Sequence, residues 1–467
     1  MYKILTDSLI HKAEIIFGKE NIITAENEGI AAYGRDESEC PVRAPELVIC
    51  ALSIEMISAA LEFSNENIIP ITPRGCGTGV AGASIPVFGG ILLDISKMNK
   101  VIDIDKSNFC AVVQPGIIVK HLHNAVESEN LFYPPDPNSL ESCSIGGNIA
   151  ASAGGPRAMK YGITRDYVWN LKTVFPDGTI ADYSGKYNKI ATGYNLNHLI
   201  VGSEGTLGIV TEAILKLIPK PAISIDMLVP FEKLSDAARI IPELLYKSKS
   251  LAICEFIDRQ AIKYSERFLN KKFEYSETAE AQLLLEFDGD DSVEVSREAE
   301  KAGELLLANK ALDIYIAEDI KSKNKIWEMR RTLRDALKHL GKNKVSEDVV
   351  VPRSKITDLL EGCRFIAEQI GIKVVCYGHT GDGNVHVNVV QDEMSDKLWS
   401  EKKIIAVEKI FKLAISLGGS ISGEHGIGYI KKKYLSWRLG TGEIGIMKSI
   451  KKAIDPKLIL NPGKIFD

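Results

Sequence analysis

Pro73-Arg74-Gly75-Cys76-Gly77-Thr78-Gly79-Val80-Ala81-Gly82-Ala83-Ser84 follows the β-branched run from Ile68 to Thr72. Glycines at this density let the backbone approach a diphosphate and turn successive N–H groups toward it, a nest that holds an anion without any lysine. The spacing is neither that of a P-loop nor that of the dinucleotide fingerprint. The missing lysine speaks against ATP, and the absence of a βαβ context and of a ribose-binding acid about twenty residues on speaks against a Rossmann NAD site. A glycine-rich turn after a strand also serves purely structural ends, so this loop must be read with the tracts around it.

The second such tract is Ser144-Ile145-Gly146-Gly147-Asn148-Ile149-Ala150-Ala151-Ser152-Ala153-Gly154-Gly155-Pro156, shortly after Tyr133-Pro134-Pro135-Asp136-Pro137. Small residues in succession leave room for a large flat object close to the main chain, or for tight packing of two loops. Lys160-Tyr161-Gly162 and Val201-Gly202-Ser203-Glu204-Gly205-Thr206-Leu207-Gly208-Ile209-Val210 follow.

A different chemistry stands in Gly378-His379-Thr380-Gly381-Asp382-Gly383-Asn384-Val385-His386 and, about forty residues on, Gly423-Glu424-His425-Gly426. The runs Lys373 to Tyr377 and Val385 to Val390 read as two strands joined by a Gly/Asp/Asn turn, with His379 at the end of one and His386 near the start of the other. Glu424 belongs to another loop, so only folding can complete a His, His, Glu shell, which suits zinc or a similar divalent ion. Turn and core histidines with satisfied hydrogen bonds are the plainer reading. Against it, three of the eight histidines fall in two glycine-rich segments beside Glu424.

Composition bounds these readings. The chain has 467 residues, a formal charge of −5, 45% apolar and 25% charged residues, which describes an ordinary protein of two or more domains. There is no basic surplus to suggest a nucleic-acid partner. No window approaches twenty uninterrupted apolar residues, so no transmembrane segment is expected, and Met1 to Phe17 lacks the features of a signal peptide. The expected compartment is the cytoplasm. Eight scattered cysteines form no CxxC pair, which argues against an iron–sulfur cluster, a zinc ribbon or a disulfide framework. A redox centre would then be a bound organic cofactor.

An opening helical region is expected to about residue 30. The first boundary falls at Ile218-Pro219-Lys220-Pro221, after a strand over Gly208 to Leu217. Beyond it, strands (Ser224 to Val229, Ala281 to Phe287, Ile314 to Ala317) alternate with amphipathic helices (Ser292 to Asn309, Asn324 to Leu340), an α+β pattern with an antiparallel sheet covered on one side. The expected division is 1–219, 220–417 and a returning segment 418–467, which ends in Asp455-Pro456-Lys457-Leu458-Ile459-Leu460-Asn461-Pro462-Gly463-Lys464.

In order and spacing, from about Tyr33 to Lys464, these tracts resemble the FAD-linked oxidase family of the vanillyl-alcohol oxidase type. The branch resembled contains D-lactate dehydrogenases, the glycolate oxidase flavoprotein subunit and D-2-hydroxyglutarate dehydrogenases. The resemblance implies an α+β protein, with a two-subdomain FAD-binding domain and an α+β cap built on an antiparallel sheet. It implies that Arg74, Gly75, Cys76, Gly77, Thr78, Gly82, Ala83 and Ser84 wrap the FAD diphosphate. Pro135, Ser139, Gly146, Gly147, Asn148 and Ser152 would line the cofactor. Gly155, Tyr161, Gly162, Glu204, Gly205, Gly208 and Ile209 would continue the lining, and Asn461 would close it. No histidine occupies the first loop, where some relatives attach the flavin, so noncovalent FAD is expected.

By the same resemblance His379, His386 and Glu424 bind a divalent metal (zinc, iron or manganese), and His425 is the catalytic base. Asn388, two residues after His386 and so on the same strand face, would hydrogen-bond the substrate. Arg330 would grip the substrate carboxylate with two parallel hydrogen bonds, with Arg334 one turn away. Some relatives have a threonine and a lysine where this chain has Arg334 and Ser346, which favours small acids over larger dicarboxylates. The implied enzyme is an FAD-dependent D-2-hydroxy-acid dehydrogenase, D-lactate to pyruvate first, with glycolate and D-2-hydroxyglutarate as alternatives. No iron–sulfur, haem or NAD motif lies in the chain, so a separate electron acceptor is expected. Relatives variously use an electron-transferring flavoprotein, iron–sulfur subunits, cytochrome or quinone, or oxygen. The lack of a membrane anchor favours the first, which in a bifurcating form would couple the reaction to NAD and ferredoxin. The rivals are a metal-free alcohol or phenol oxidase of the same fold and a noncatalytic flavin-binding scaffold subunit.

Overall fold

Branched side chains lose little freedom on a buried pleated surface, and the runs Ile22-Ile23, Val48-Ile49, Ile71-Thr72 and Ile91-Leu92 each form a short strand: β1 (Ile22–Thr24), β2 (Leu47–Cys50), β3 (Ile71–Arg74) and β4 (Ile91–Asp94). The computed structural model describes residues 2–183 and 185–466. These four strands form one sheet in the order β1-β2-β4-β3. β1 is antiparallel to β2, and β4 runs parallel to both β2 and β3. The helix Ile54–Asn67, capped by Ser53 accepting the Met56 N–H at 3.3 Å, joins β2 to β3.

Two expectations are corrected here. The opening helix spans only Asp7–Phe17 and ends at Gly18, whose φ of 81° breaks the helix, and β1 follows it. The first glycine loop also does have a βαβ unit before it, because β2, its helix and β3 flank β4. That unit was hidden because its middle strand comes later in the chain. The loop leads into no helix, however, so a dinucleotide fingerprint remains excluded.

Seven further strands continue the first half: β5 (Val101–Asp105), β6 (Cys110–Val113), β7 (Leu131–Phe132), β8 (Val168–Val174), β9 (Ile180–Asp182), β10 (Ile209–Lys216) and β11 (Ile218–Pro219). Five of them form a sheet in the order β5-β6-β10-β8-β9, while β7 and β11 pair separately. The tail returns to the edge of β3. The Ile71 N–H donates to Ile459 O at 2.8 Å and the Asn461 N–H to Ile71 O at 2.7 Å. Buried Lys451 locks this return by donating to Thr206 O, Asp455 Oδ2 and Leu460 O at 2.6–2.8 Å.

The chain divides into two compact units: the first holds the chain up to Gly154, Gly162–Lys220 and the chain from Glu424, and the second holds Gly155–Tyr161 and Pro221–Gly423. Within the second, β12 (Ile223–Phe231), β13 (Leu251–Asp258), β14 (Ala281–Gly289), β15 (Tyr315–Ala317), β16 (Lys344–Val350), β17 (Lys373–Gly378) and β18 (Asn384–Val390) form one antiparallel sheet. Its order is β15-β12-β14-β13-β17-β18-β16. On one face Ile257, Leu284, Val375 and Tyr377 pack against Ile262, Met329 and Leu333 of helices Arg259–Leu269 and Ile320–Leu340. The alternate residues, among them Met227, Phe256, Leu285 and Val387, are buried on the opposite face. Helices Leu234–Lys247, Ser292–Ala308, Ile356–Ile370 and Asp396–Ser416 also pack along the sheet. The expectation of a sheet covered on one side is therefore corrected, because helices Arg259–Leu269 and Ile320–Leu340 bury part of the second face as well. Among the described residues no helix is long and apolar enough to cross a membrane.

Candidate active site

Side chains alternate across a strand, so register decides which polar residues of the second unit meet. Tyr377 lies opposite both Ile257 and His386, and His386 lies opposite Asp348. Continuing the β13–β17 register by two residues brings His379, just past the end of β17, opposite Glu255. The Glu255 carboxylate does meet His379 Nδ1. It is fully buried in an eight-residue strand that is buried throughout.

The other oxygen of Glu255 accepts from Arg330 Nε at 2.5 Å. Arg330 is on the buried stripe of its helix, which runs Ile326, Met329, Arg330, Leu333, Ala336 and Leu337 at helical spacing. A guanidinium on such a stripe must be paired to be tolerated. It stacks 4.8 Å from the centre of the Tyr377 ring, while its Nη2 is buried and has no hydrogen-bond partner. Burial by itself would raise the Glu255 pKa. The Arg330 charge beside it, with the hydrogen bonds that Arg330 and His379 donate, overcomes that and holds it at about 2.

With His379 Nδ1 against a carboxylate, its Nε2 is turned toward His386 Nε2, 3.3 Å away, and the two rings meet edge to face at 86°. Two nitrogens at about 2.0–2.1 Å from one tetrahedral ion stand ~3.3–3.4 Å apart. A carboxylate on the far nitrogen of a ligating histidine is also the usual support of such a site. The pair thus fits a divalent ion. Asn388 shares this face, but its Oδ1 accepts from Ser346 Oγ at 2.5 Å and its Nδ2 donates to Val375 O at 3.3 Å. Arg334 is half-buried on the next turn of the Arg330 helix.

Sequence reasoning missed Glu255, Asp348, Asp226 and Glu286. Asp348 accepts from Asn384 Nδ2 at 2.5 Å, Ser422 Oγ at 3.1 Å and the Gly423 N–H at 2.9 Å, and so fixes the two residues before Glu424. Asp226 lies opposite Glu286, and burial together with that neighbour pushes its pKa up to about 6. For Glu255 the available signal was one acid within the otherwise apolar run Leu251-Ala252-Ile253-Cys254-Glu255-Phe256-Ile257.

In the first unit the glycine tracts converge. Arg74 braces its own loop, donating through Nη1 to Arg35 O at 2.6 Å and Ser84 Oγ at 3.3 Å. Asn461 Nδ2 donates to Ala83 O at 3.0 Å and Glu204 O at 2.8 Å, tying the tail to two tracts. Ser144 caps the helix Ile145–Ala151, and any Cβ on Gly75 would run into its hydroxyl. Asn148 Nδ2, Ser152 Oγ, Ser203 Oγ and Asn461 Oδ1 are buried without a hydrogen-bond partner. Each such group costs about 1–3 kcal/mol if left unanswered, so these loops fit a large polar ligand such as FAD. Gly155 and Tyr161 belong instead to the second unit, where the Tyr161 hydroxyl donates to the Asp288 carboxylate at 2.8 Å and Arg157 forks onto Glu286 at 3.0 and 3.2 Å.

Glu204 is buried, which raises its pKa against the pull of two N–H groups, Ile427 at 2.8 Å and Gly428 at 2.7 Å. These contacts set the backbone just after Glu424 and His425, whose side chains stand 4.0 Å apart (His425 Nε2 to Glu424 Oε1). Gly426 makes the turn at φ 82°, and a Cβ there would lie 2.8 Å from Glu204 Oε1. Gly426→Ala is therefore expected to cost about 1–3 kcal/mol, read as a lower midpoint in urea unfolding. An unchanged midpoint would show that the Glu204 contacts do not hold this turn.

Residues 45–184 match the family model of the FAD binding domain, and residues 220–465 match that of the C-terminal domain of FAD linked oxidases. The chain is 39% identical to the glycolate oxidase subunit GlcD of Bacillus subtilis (strain 168), covering 97% of this chain and 95% of the relative. It is 35% identical to a D-lactate dehydrogenase of Anaerostipes hadrus, covering 99% and 98%. Among solved structures it superposes on p-cresol methylhydroxylase with a TM-score of 0.78 at 16% identity, covering 100% of this chain and 99% of that one. The 4-ethylphenol oxidase of Gulosibacter chungangensis gives a TM-score of 0.77 at 16% identity, covering 100% and 98%. Glycine loops with buried, unpartnered polar groups, a polar sheet face with paired imidazoles, and matches running through both units lead to one assignment: the chain is a member of the FAD-linked oxidases, a family of flavin-dependent oxidoreductases with the vanillyl-alcohol oxidase type of fold.

Proposed function

We propose that this protein oxidises a small D-2-hydroxy acid, D-lactate first, to the 2-oxo acid. The observation that supports this most is the pairing of two functions on one sheet face. Two imidazole Nε2 atoms 3.3 Å apart suit an ion for a hydroxyl, and a buried guanidinium with Nη2 unpartnered suits a carboxylate. A 2-hydroxy acid carries these two groups on adjacent carbons. The D-lactate dehydrogenases among the relatives point the same way, and glycolate is the second reading because of the likeness to the glycolate oxidase subunit.

In this proposal the loops from Arg74 to Ser84 and from Ser144 to Ser152, with Ser203, Glu204 and Asn461, hold FAD without a covalent bond. When bound, FAD supplies the acceptor for a hydride. His379 and His386, with Glu424, would hold a divalent ion, which would supply Lewis acidity to lower the pKa of the substrate hydroxyl. Arg330 receives the carboxylate through Nη2 and orients the α-carbon. His425 takes the hydroxyl proton, so that the substrate leaves as a 2-oxo acid after losing one proton and one hydride. The proposed electron acceptor is an electron-transferring flavoprotein, and the proposed compartment is the cytoplasm.

The test is an anaerobic titration of the flavin spectrum with D-lactate, L-lactate, glycolate and D-2-hydroxyglutarate. D-lactate is expected to bleach the flavin fully and L-lactate not at all, and dominance of glycolate would move the assignment to the second reading. Bleaching by none of the four would refute the reaction. Chelation of the ion is expected to abolish bleaching and added zinc or manganese to restore it, whereas indifference to metal would remove His379 and His386 from the chemistry.

A further inference from the structure

We infer that Glu255 is a positioning residue that couples the two halves of substrate recognition, holding a metal-ligating histidine with one carboxylate oxygen and the carboxylate-binding arginine with the other. This rests on the proposed function and names a device within its site.

A carboxylate meant only to neutralise a buried arginine would engage it by two parallel hydrogen bonds, the strongest geometry available to the pair. Glu255 does not. It takes Arg330 at Nε through Oε2 and turns Oε1 to His379 Nδ1. Two consequences follow from that division. The proton on His379 is fixed at Nδ1, which aims the Nε2 lone pair toward His386. Arg330 in turn keeps Nη2 buried and unanswered, open to an incoming carboxylate.

The frame around the residue is buried and closely packed. Glu255 lies mid-strand at 0% exposure, His379 lies opposite it in the β13–β17 register, and Arg330 is held from the other side by the Tyr377 ring at 4.8 Å. One side chain therefore sets the distance between the ion-binding nitrogen and the guanidinium. The hydroxyl and carboxylate of a 2-hydroxy acid are separated by a single carbon–carbon bond, so recognition of both at once demands a fixed spacing of this kind.

The test uses the full-length flavoprotein, Glu255→Gln, and two binding measurements that need no turnover. One is the affinity for zinc(II) alone, by competition with a chromophoric chelator. The other is the affinity of the metal-free protein for propionate, a carboxylate with no hydroxyl, read from the flavin spectrum. Zinc affinity is expected to fall 10- to 100-fold, in the range known for carboxylate partners of ligating histidines, and propionate affinity to fall about tenfold as Arg330 loses its orientation. The KM for D-lactate should rise alongside. Both affinities remaining within twofold of wild type would overturn the inference whatever happens to thermal stability, and so would a change in only one of them. Where Glu255→Gln does not accumulate as folded protein, the same two readings are taken on Glu255→Asp, which keeps the charge but withdraws it by one methylene. Parallel losses there support the coupling, and unchanged values overturn it. If wild type itself binds neither zinc nor propionate, the proposed reaction falls first, and that is seen before any variant is made.

Discussion

Replacing His425 with alanine is expected to leave a folded yellow protein whose flavin is reduced by D-lactate about 10² to 10⁴ times more slowly than in wild type, the usual worth of a positioned general base. The fold should survive because the backbone after His425 is held by Glu204 through the N–H groups of Ile427 and Gly428, not by the imidazole. The loops that fit FAD keep their own ties through Arg74 and Asn461. Stopped-flow absorbance under anaerobic conditions reads the rate, and the visible spectrum before mixing reports retained flavin. A near-normal rate would transfer the base role to another residue, while loss of the yellow colour would show that His425 serves the cofactor.

Arg330→Ala should be the most damaging single change in the second unit. It strips Glu255 of one of the two partners that keep it ionised and leaves a carboxylate inside a fully buried strand. Breaking a buried pair from one side typically costs about 3–5 kcal/mol. It also opens a cavity on the stripe between Met329 and Leu333, which adds to the loss. Urea unfolding should show a much lower midpoint, and any protein that remains folded should have a greatly raised KM for D-lactate. The double variant Arg330→Met/Glu255→Gln should regain part of the stability, since no charge is then buried alone, without regaining the KM. Wild-type stability in Arg330→Ala would mean that the ion pair contributes nothing to folding.

Features that depend on neighbours in the chain were legible. Val385 to Val390 alternates with period two, so His386 and Asn388 were expected on one face, and they share the face that carries Tyr377 and Val375. The turn between β17 and β18 could be read from its Gly, Asp and Asn residues, because they are suited to the backbone angles such a turn requires. The helix bearing Arg330 was visible from its spacing. Less legible was β1, whose three residues carry too little pattern to stand out after a helix. The βαβ unit was also hidden, since β4, which lies between β2 and β3, enters from farther along the chain.

What the sequence by itself determined is the inventory and its local placement: glycine tracts able to receive a flavin, two histidines flanking one turn, and an arginine on an amphipathic helix. Turn chemistry and side-chain period act over a few residues, so they can be read without the fold. Only the tertiary structure decided that Glu255, 124 residues before His379 and 75 before Arg330, joins the two. Strand register between distant segments and the face a helix turns toward a sheet depend on the burial of whole elements, and no local pattern in Leu251 to Asp258 carries that information.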